Sequence, residues 1–408
     1  MKTSTLLALF VAISTFSFGQ HSSCDGTRYL NPGYSVTQTD GILFGNNTTI
    51  NGVNQNLYLD FFEPTGDAAA SRPLIILAFG GSFIGGQRED MHEFCNYYAE
   101  RGFACATIDY RLYDGAIIPL PDSVTMTEEV VMAIGDMKAA VRFFKEDAAT
   151  TNTYKVDPNF IIVGGISAGG IVAAHVGSLD PTDVIEPYVL PLINANGGFQ
   201  GNSSTNTQYD EEVIGVLNYS GALRSTDYID ATDAPFFSVH DDNDGTVPYA
   251  AGSASIFTVP IIALEGSFLI HQKAQSVGVT SELITYANSN GHVSYFNSNP
   301  VATDSILQRS LDFMYPLICG SAANVETITK VNFDMYPNPA HSTVTVQFEN
   351  ANGSTISLMD LSGRNVISAE AQSEATVLSI DGFAPGVYIV EVINESIGLR
   401  ERKQLVIE

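Results

Sequence analysis

A serine stands among small residues in the segment Gly165-Ile166-Ser167-Ala168-Gly169, directly after the apolar run at residues 160–163. An alanine-rich stretch follows, so the pattern predicts a tight turn from a buried strand into a helix. Only small residues fit at the flanking glycine positions of such a turn, which exposes the hydroxyl and directs the following amide toward any oxyanion formed there. The segment therefore predicts a nucleophilic serine, Ser167, for acyl transfer.

A serine nucleophile needs a histidine base, and the histidine needs a carboxylate to orient it. In a strand-turn-helix arrangement of this kind, the acid and then the histidine follow the serine on loops after strands. An apolar strand leads into the loop 240–248, where Asp244 is the predicted acid and Asp241 and Asp242 remain alternatives. A calcium loop is disfavoured, because His240 stands where the first aspartate ligand belongs and no glutamate closes the loop.

The predicted base is His292, one of seven histidines in the chain. It follows the predicted strand at residues 281–286, in a loop of asparagine, serine and glycine. The other histidines lie before the acid, within predicted helices or outside the predicted catalytic domain. His292 alone lies after the acid on a loop that follows a strand, which is where the mechanism requires the base.

Acyl transfer also requires amide donors for the oxyanion. The glycine-rich loop at residues 80–86 follows the apolar strand 73–79 and predicts such donors. A phosphate-binding loop is the alternative, but neither a closing Lys-Ser/Thr pair nor a G-x-G-x-x-G pattern is present. The predicted donors are the amides of Gly81, Ser82 and Ala168.

These loops need a framework of strands and helices to bring them together. Residues 24 to about 320 alternate between apolar strands and amphipathic helices, which predicts a doubly wound, mostly parallel α/β sheet covered on both faces. The helical patterns end near residue 321, and short alternating segments separated by glycine turns follow. This second region predicts a small all-β sandwich.

The composition limits the class of protein and its partners. The 408 residues carry 18 Lys and Arg against 45 Asp and Glu, a net charge of −27, which disfavours binding to nucleic acid or to anionic membranes. Residues 1–19 combine Lys2, a short apolar run and small residues at the end, as expected of a cleaved signal peptide. No later segment is apolar for long enough to predict a membrane span. The sequence therefore predicts an exported protein.

Export permits disulfide bonds among the four cysteines, which allow three pairings. Cys24 and Cys319 lie at the two ends of the predicted catalytic domain and are candidates for one pair. Cys95 and Cys105 would then form the second pair, although buried free thiols are nearly as plausible. The spacing of cysteines and histidines predicts no metal site.

The motifs resemble those of the α/β-hydrolase carboxylesterases. The resemblance rests on the glycine loop, on Asp109-Tyr110-Arg111-Leu112, on residues 136–143 and on the serine segment, and it covers residues 50–315. The hormone-sensitive-lipase-like and the feruloyl- or acetylxylan-esterase-like groups are the most similar. The resemblance implies hydrolysis of an ester through an acyl-enzyme intermediate, without a cofactor, with Ser167 as nucleophile and His292 as base.

The C-terminal region resembles the type IX secretion sorting domain of Bacteroidetes-type bacteria. The resemblance rests on residues 335–340, on 360–364, on 385–388 and on Lys403. It implies transfer by the type IX secretion machinery, followed by secretion or attachment to the cell surface. The expected organisation is a signal peptide at 1–19, a catalytic domain at 20–320, a linker at 321–330 and a sorting domain at 331–408.

The predicted function is thus that of a secreted serine carboxylic ester hydrolase. A depolymerase acting on polyesters or acylated polysaccharide and a peptidase of the prolyl-oligopeptidase type would use the same groups. A degenerate hydrolase fold retained for surface binding is the non-enzymatic alternative. It is disfavoured, because a binding protein does not need Ser167, Asp244 and His292 in this order.

Overall fold

The computed structural model describes residues 20–297, 300–320, 333–348, 354–360, 364–371, 375–394 and 399–408. The predicted signal peptide (1–19) and the predicted linker (321–330) lie outside these ranges. The described residues up to 320 form one compact unit, and those from 333 onward form a second. Within the described ranges, no helix has both the length and the apolar character needed to cross a membrane.

The first unit alternates strands and helices along the chain. Its strands are β1 (Val36–Thr48), β2 (Asn54–Pro64), β3 (Arg72–Ala78), β4 (Ala104–Ile108), β5 (Val156–Ile166), β6 (Gly215–Tyr219), β7 (Ala222–Leu223), β8 (Phe236–Asp241), β9 (Ala251–Ile256), β10 (Val259–Gly266) and β11 (Ser281–Tyr286). Its helices are α1 (His92–Ala99), α2 (Ser123–Ala149), α3 (Ala168–Val176), α4 (Val189–Ala195), α5 (Ser267–Val277), α6 (Ser294–Asn297) and α7 (Pro300–Cys319).

Eight of these strands form the central sheet, in the order β1-β2-β4-β3-β5-β6-β8-β11. The pairs β1–β2 and β2–β4 are antiparallel, and every pair from β4 to β11 is parallel. Every residue of β3, β4 and β6 is buried, as expected for strands covered on both faces. The predicted mostly parallel α/β fold is confirmed. Parallel pairing brings the loops after β3, β5, β8 and β11 to the same edge of the sheet.

The long helix α2 is tied to the sheet by a buried ion pair. The Arg111 guanidinium, just after β4, donates to both carboxylate oxygens of Asp136 at 2.9 to 3.1 Å. Both side chains are almost fully buried. Removing one partner of such a pair leaves an uncompensated charge, which costs about 3 to 5 kcal/mol. The pair therefore fixes where α2 lies above the carboxyl edge of the sheet.

The structure contains a strand and a hairpin that the sequence did not predict. The edge strand β1 is polar and mostly exposed, so it lacks the apolar alternation that reveals a half-buried strand. The strands β9 and β10 form a hairpin that joins β7 in a separate three-stranded sheet. The sequence of β9, Ala-Gly-Ser-Ala-Ser-Ile, shows no alternation either. Only its pairing with β10 makes it a strand.

One disulfide closes the first unit. It joins Cys24 to Cys319, whose Cα atoms are 5.7 Å apart, across a sequence separation of 295 residues. The other predicted pair is not formed, since Cys95 on α1 and Cys105 on β4 are free thiols with their Sγ atoms 3.1 Å apart. Burial raises the pKa of the Cys95 thiol well above its usual range. It stays protonated, and the thiolate is the form that reacts.

The second unit contains antiparallel strands. They are β12 (Phe333–Tyr336), β13 (Thr343–Phe348), β14 (Ser354–Met359), β15 (Asn365–Glu370), β16 (Ala375–Ser379), β17 (Gly386–Asn394) and β18 (Leu399–Ile407). They form one sheet in the order β12-β13-β16 and another in the order β15-β14-β17-β18. Alternate apolar residues, among them Val344, Val346, Ile356 and Leu358, form a core of their own. The predicted all-β character of this region is confirmed.

Candidate active site

Ser167 occupies the turn between β5 and α3, with φ of 56° and ψ of −115°. This conformation is strained for a residue with a Cβ and persists only where its surroundings enforce it. A Cβ on Gly169 would overlap the carbonyl oxygen of Ala78 in β3, and one on Gly165 would overlap the backbone of Gly169. The two glycines therefore let β5, β3 and α3 approach closely enough to form the turn.

The structure brings Ser167, His292 and Asp244 into one hydrogen-bonded chain. The Oγ of Ser167 lies 2.7 Å from Nε2 of His292, and Nδ1 of His292 lies 2.6 Å from Oδ2 of Asp244. The three residues lie after β5, β11 and β8, at the carboxyl edge of the sheet. The side chain of His292 is 23% exposed, whereas that of Asp244 has no exposure. The chain of contacts thus runs from a nearly buried hydroxyl through a solvent-touching imidazole to a buried carboxylate.

Asp244 is held as a carboxylate by its neighbours. Its Oδ1 accepts the amides of Thr246 at 2.8 Å and Val247 at 3.1 Å, and its Oδ2 also lies 3.4 Å from Nε2 of His240. Burial acts to raise the pKa of Asp244, but hydrogen bonds from His240 and His292 outweigh burial and lower the pKa to about 2. The ionised carboxylate favours the tautomer of His292 with its proton on Nδ1, which leaves Nε2 able to accept the serine proton.

The other two carboxylates of the same loop have different partners. Asp241 accepts both the amide and the hydroxyl of Ser294. Asp242 accepts the amides of Asn288 at 2.9 Å and Ser289 at 3.0 Å. Asn288 and Ser289 lie between β11 and α6, in the segment that carries His292, and Ser294 is the first residue of α6. Asp241 and Asp242 therefore anchor that segment, and Asp244 alone among the three contacts the imidazole.

The glycine-rich loop after β3 lies against the serine turn. A Cβ on Gly80 would come within 3.2 Å of the Ser167 Cβ. Gly81 has a φ of 137°, and a Cβ there would overlap the carbonyl oxygen of Gly85, so the loop closes only with glycine at this position. Ser82 and Ala168 line the same cavity as Ser167. Ala168 is the first residue of α3, and its amide therefore has no acceptor in a preceding helical turn.

A cavity opens beside Ser167, and we call it the Ser167 cavity. Its walls are almost entirely apolar and come mainly from α2, α3 and the β9–β10 hairpin, with further residues from the loop after β3 and from the segments that contain Arg224 and Val247. Residues that represent these walls are Val130, Ile134, Ile171, Ile256 and Ile262. The sequence analysis predicted Ser167 as the nucleophile. It did not predict the hairpin, nor that the hairpin and α2 both line the cavity beside this serine.

His240 is a second histidine near Asp244, and the sequence analysis gave it no role. It is fully buried, its Nδ1 pairs with the Ser267 hydroxyl at 2.7 Å, and its Nε2 lies 3.1 Å from the carbonyl oxygen of Val247. Its Nε2 approaches the same oxygen of Asp244, Oδ2, that Nδ1 of His292 contacts. Its place at the end of a buried strand, four residues before the acid, was the available sign in the sequence.

Glu129 on α2 is another buried residue that the sequence analysis did not single out. The residue has no exposure, and neither carboxyl oxygen has a hydrogen-bond partner among the described residues. Burial raises the pKa of Glu129 from 4.5 to about 8, Arg111 opposes the rise, and Asp136 adds to it. The carboxyl is therefore mostly neutral at pH 7.

One group of side chains has the spacing of a metal site. Ligand atoms of Asp40, Asp60 and His92 lie within 4.8 Å of one another in the described part of the chain. Asp60, however, is already paired with Nε of Arg88 at 2.9 Å and accepts the amide of Gly41. The guanidinium charge opposes a cation at this position, and the group is not part of the Ser167 cavity.

Known families match both units of the chain. Residues 59–221 match the BD-FAE family, whose members are esterases with the α/β-hydrolase fold. Residues 334–408 match the secretion system C-terminal sorting domain. The two resemblances inferred from the sequence are thereby confirmed. No curated protein matches the chain at a significant level.

Solved structures of an esterase from the planctomycete Thermogutta terrifontis share the fold of the first unit. The propionate-bound form is 20% identical with a TM-score of 0.50, over 72% of this chain and 97% of that esterase. The form phosphorylated by paraoxon is 19% identical with the same TM-score and the same coverage. At this identity the likeness establishes the fold, and the family match adds the class. The first unit thus has the α/β-hydrolase fold and contains a match to an esterase family at residues 59–221, and residues 334–408 match a secretion-sorting domain.

Proposed function

We propose that the protein is a serine carboxylesterase in which Ser167, His292 and Asp244 form the catalytic triad. The observation that carries the proposal is the hydrogen-bonded chain from the Ser167 hydroxyl through His292 to the buried Asp244. The contacts are within the range that proton transfer requires, and the acid has its pKa low enough to stay charged. The Thermogutta terrifontis esterase, solved with propionate and after phosphorylation by paraoxon, supports an ester substrate.

The reaction proceeds in two halves. Oγ of Ser167 attacks the ester carbonyl carbon while Nε2 of His292 takes the hydroxyl proton. The amides of Gly81, Ser82 and Ala168 stabilise the oxyanion, and His292 then gives its proton to the departing alcohol. Water attacks the acyl-enzyme, His292 takes a proton from that water, and the proton returns to Oγ as the acid leaves. Each lost oxyanion donor should cost about 10²- to 10³-fold in kcat.

The Ser167→Ala variant tests this function. We expect it to abolish hydrolysis of p-nitrophenyl butanoate and to leave the thermal unfolding midpoint close to that of the wild type, because Ala retains the Cβ and the turn. Paraoxon should phosphorylate the wild type at Ser167 and leave the variant unmodified, as mass spectrometry of the peptides would report. Retained hydrolysis in the variant would exclude Ser167 as the nucleophile. An inactive wild type that paraoxon does not modify would favour a surface-binding role.

The proposal also covers export and the domain organisation of the chain. The sorting domain indicates export by the type IX secretion machinery, to the medium or the cell surface. We assign residues 1–19 to a cleaved signal peptide, 20–320 to the catalytic domain, 321–330 to a linker and 331–408 to the sorting domain. In this arrangement the esterase acts outside the cell, on esters that it meets there.

A further inference from the structure

We propose that the Ser167 cavity binds the acyl part of the substrate, and that this acyl group is an aliphatic chain. The inference rests on the esterase function proposed above and deepens it by naming the substrate class. The walls of the cavity, the state of the polar groups at its far end and the position of His292 each support it.

The position of His292 separates the acyl side from the alcohol side. His292 gives a proton to the departing alcohol and later activates water, so both must reach its Nε2. Its side chain is 23% exposed, and among the described residues it does not line the cavity. Ser167 and Ala168 do line it. The alcohol therefore leaves on the open side by His292, and the enclosed side retains the acyl group of the acyl-enzyme.

The walls of the cavity fit an aliphatic chain. On α2, Met126, Val130 and Ile134 lie four residues apart and share one helix face toward the cavity. Across from them, β10 has a bulge, because Pro260 pairs with Ser255 but Ile262 pairs with Ala254.

The bulge has a direct consequence for the cavity wall. It leaves Ile261 as an extra residue in β10. Such a residue breaks the alternation of side chains, so Ile261 and its neighbour Ile262 both line the cavity. One short strand thus contributes two adjacent branched side chains where a regular strand would contribute one.

The polar side chains at the far end already have partners. His175 pairs through Nδ1 with the Ile171 carbonyl at 2.7 Å, and its Nε2 accepts the Arg224 amide at 3.1 Å. The Tyr228 hydroxyl donates to Glu186 at 2.6 Å, and the Arg224 guanidinium lies 3.2 Å from the same carboxylate. The two nitrogens of His175 and the proton of the Tyr228 hydroxyl are therefore already engaged, and Arg224 is paired with Glu186 by charge. A phenolic hydroxyl of an aromatic acyl group that is buried here without a partner would cost about 1–3 kcal/mol, or about tenfold to a hundredfold.

The length of the cavity follows from α3. Ser167 and His175 lie eight residues apart along this helix, which rises by about 12 Å over that distance. An extended chain of about eight carbons spans roughly 10 Å at ordinary single-bond lengths. The cavity therefore matches an aliphatic acyl chain of up to about eight carbons in length.

The test is the dependence of kcat/KM on acyl length, measured on the full chain with p-nitrophenyl esters from acetate to octanoate. Each methylene added to the acyl group between acetate and hexanoate should raise kcat/KM about fourfold, because the cavity buries it. A fall in kcat/KM over this range, or a preference for the ferulate ester over the hexanoate, would overturn the inference. Paraoxon modification of Ser167 does not depend on acyl length. If paraoxon modifies Ser167 and the acetate is hydrolysed, such a fall refutes the acyl assignment alone, whereas loss of both reactions refutes the esterase function as well.

Two alanines of the hairpin provide a variant and its matched control. Ala254 on β9 lines the cavity, whereas Ala263 on β10 is exposed. Ala254→Phe should lower the ratio of kcat/KM for octanoate to that for acetate by at least about tenfold. The phenyl ring would fill space that several methylenes of the octanoyl chain need. Ala263→Phe should leave that ratio within about twofold of the wild type, since its ring faces solvent. Equal ratios in the two variants would place the acyl chain outside the cavity.

Discussion

Replacing Asp244 with asparagine changes one atom at the centre of the proposed triad. The amides of Thr246 and Val247 both donate to Oδ1, so the asparagine oxygen takes that position. The NH₂ group then takes the position of Oδ2, 2.6 Å from Nδ1 of His292. It can only donate there, which forces the imidazole proton onto Nε2, facing the Ser167 hydroxyl. The histidine in this tautomer cannot accept the serine proton.

The expected loss in kcat is about 10⁴-fold, the effect of this tautomer change in a serine-histidine-aspartate triad. This corresponds to about 5.5 kcal/mol of lost transition-state stabilisation. The assay is the steady-state hydrolysis of p-nitrophenyl hexanoate at pH 7.5, with thermal unfolding as the measure of the fold. We expect the midpoint to change little, because asparagine keeps both backbone hydrogen bonds of the loop.

Asp242→Asn is the matched control for this substitution. It removes the same charge from the same loop, but Asp242 contacts the amides of Asn288 and Ser289 and not the imidazole. Loss of one hydrogen bond between residue 242 and these amides should lower kcat by at most about tenfold. The reasoning fails if Asp244→Asn keeps more than a tenth of the activity, or if both variants lose activity equally.

Two further predictions concern stability. The unfolded Glu129 carboxyl loses its proton near pH 4.5 while the folded one keeps it to about pH 8, so this group lowers the free energy of unfolding as pH rises between these values. Relative to the wild type, Glu129→Gln should gain about 3 kcal/mol between pH 5 and pH 8 in urea unfolding, and parallel curves would contradict this assignment. Replacing both Cys24 and Cys319 by serine removes the disulfide, which joins residues 295 positions apart in the sequence. The free energy of unfolding from urea titration should fall by about 5–6 kcal/mol, and a fall below about 1 kcal/mol would show that the disulfide contributes little.

The sequence was most informative where a local rule governs the structure. The buried strand β3 and the second half of β5 (160–163) are continuous apolar runs, and the serine turn has glycine at positions 165 and 169, where the motif requires small residues. These features could be predicted, and the fold they imply is confirmed. The strand β1 and the β9–β10 hairpin could not be predicted, because their residues are small or polar and their strand character comes from pairing with distant parts of the chain.

By itself, the sequence determined the fold class, the order along the chain of the residues proposed as the triad, and the presence of a sorting domain. The tertiary structure alone decided how the three carboxylates of one loop divide their contacts, with Asp244 on His292 and Asp241 and Asp242 on the segment that carries it. It also decided that α2 and β10 face each other across the Ser167 cavity. Hydrogen-bond partners and cavity walls depend on which distant segments of the chain meet in the folded protein. The residue types within one short segment do not specify those meetings.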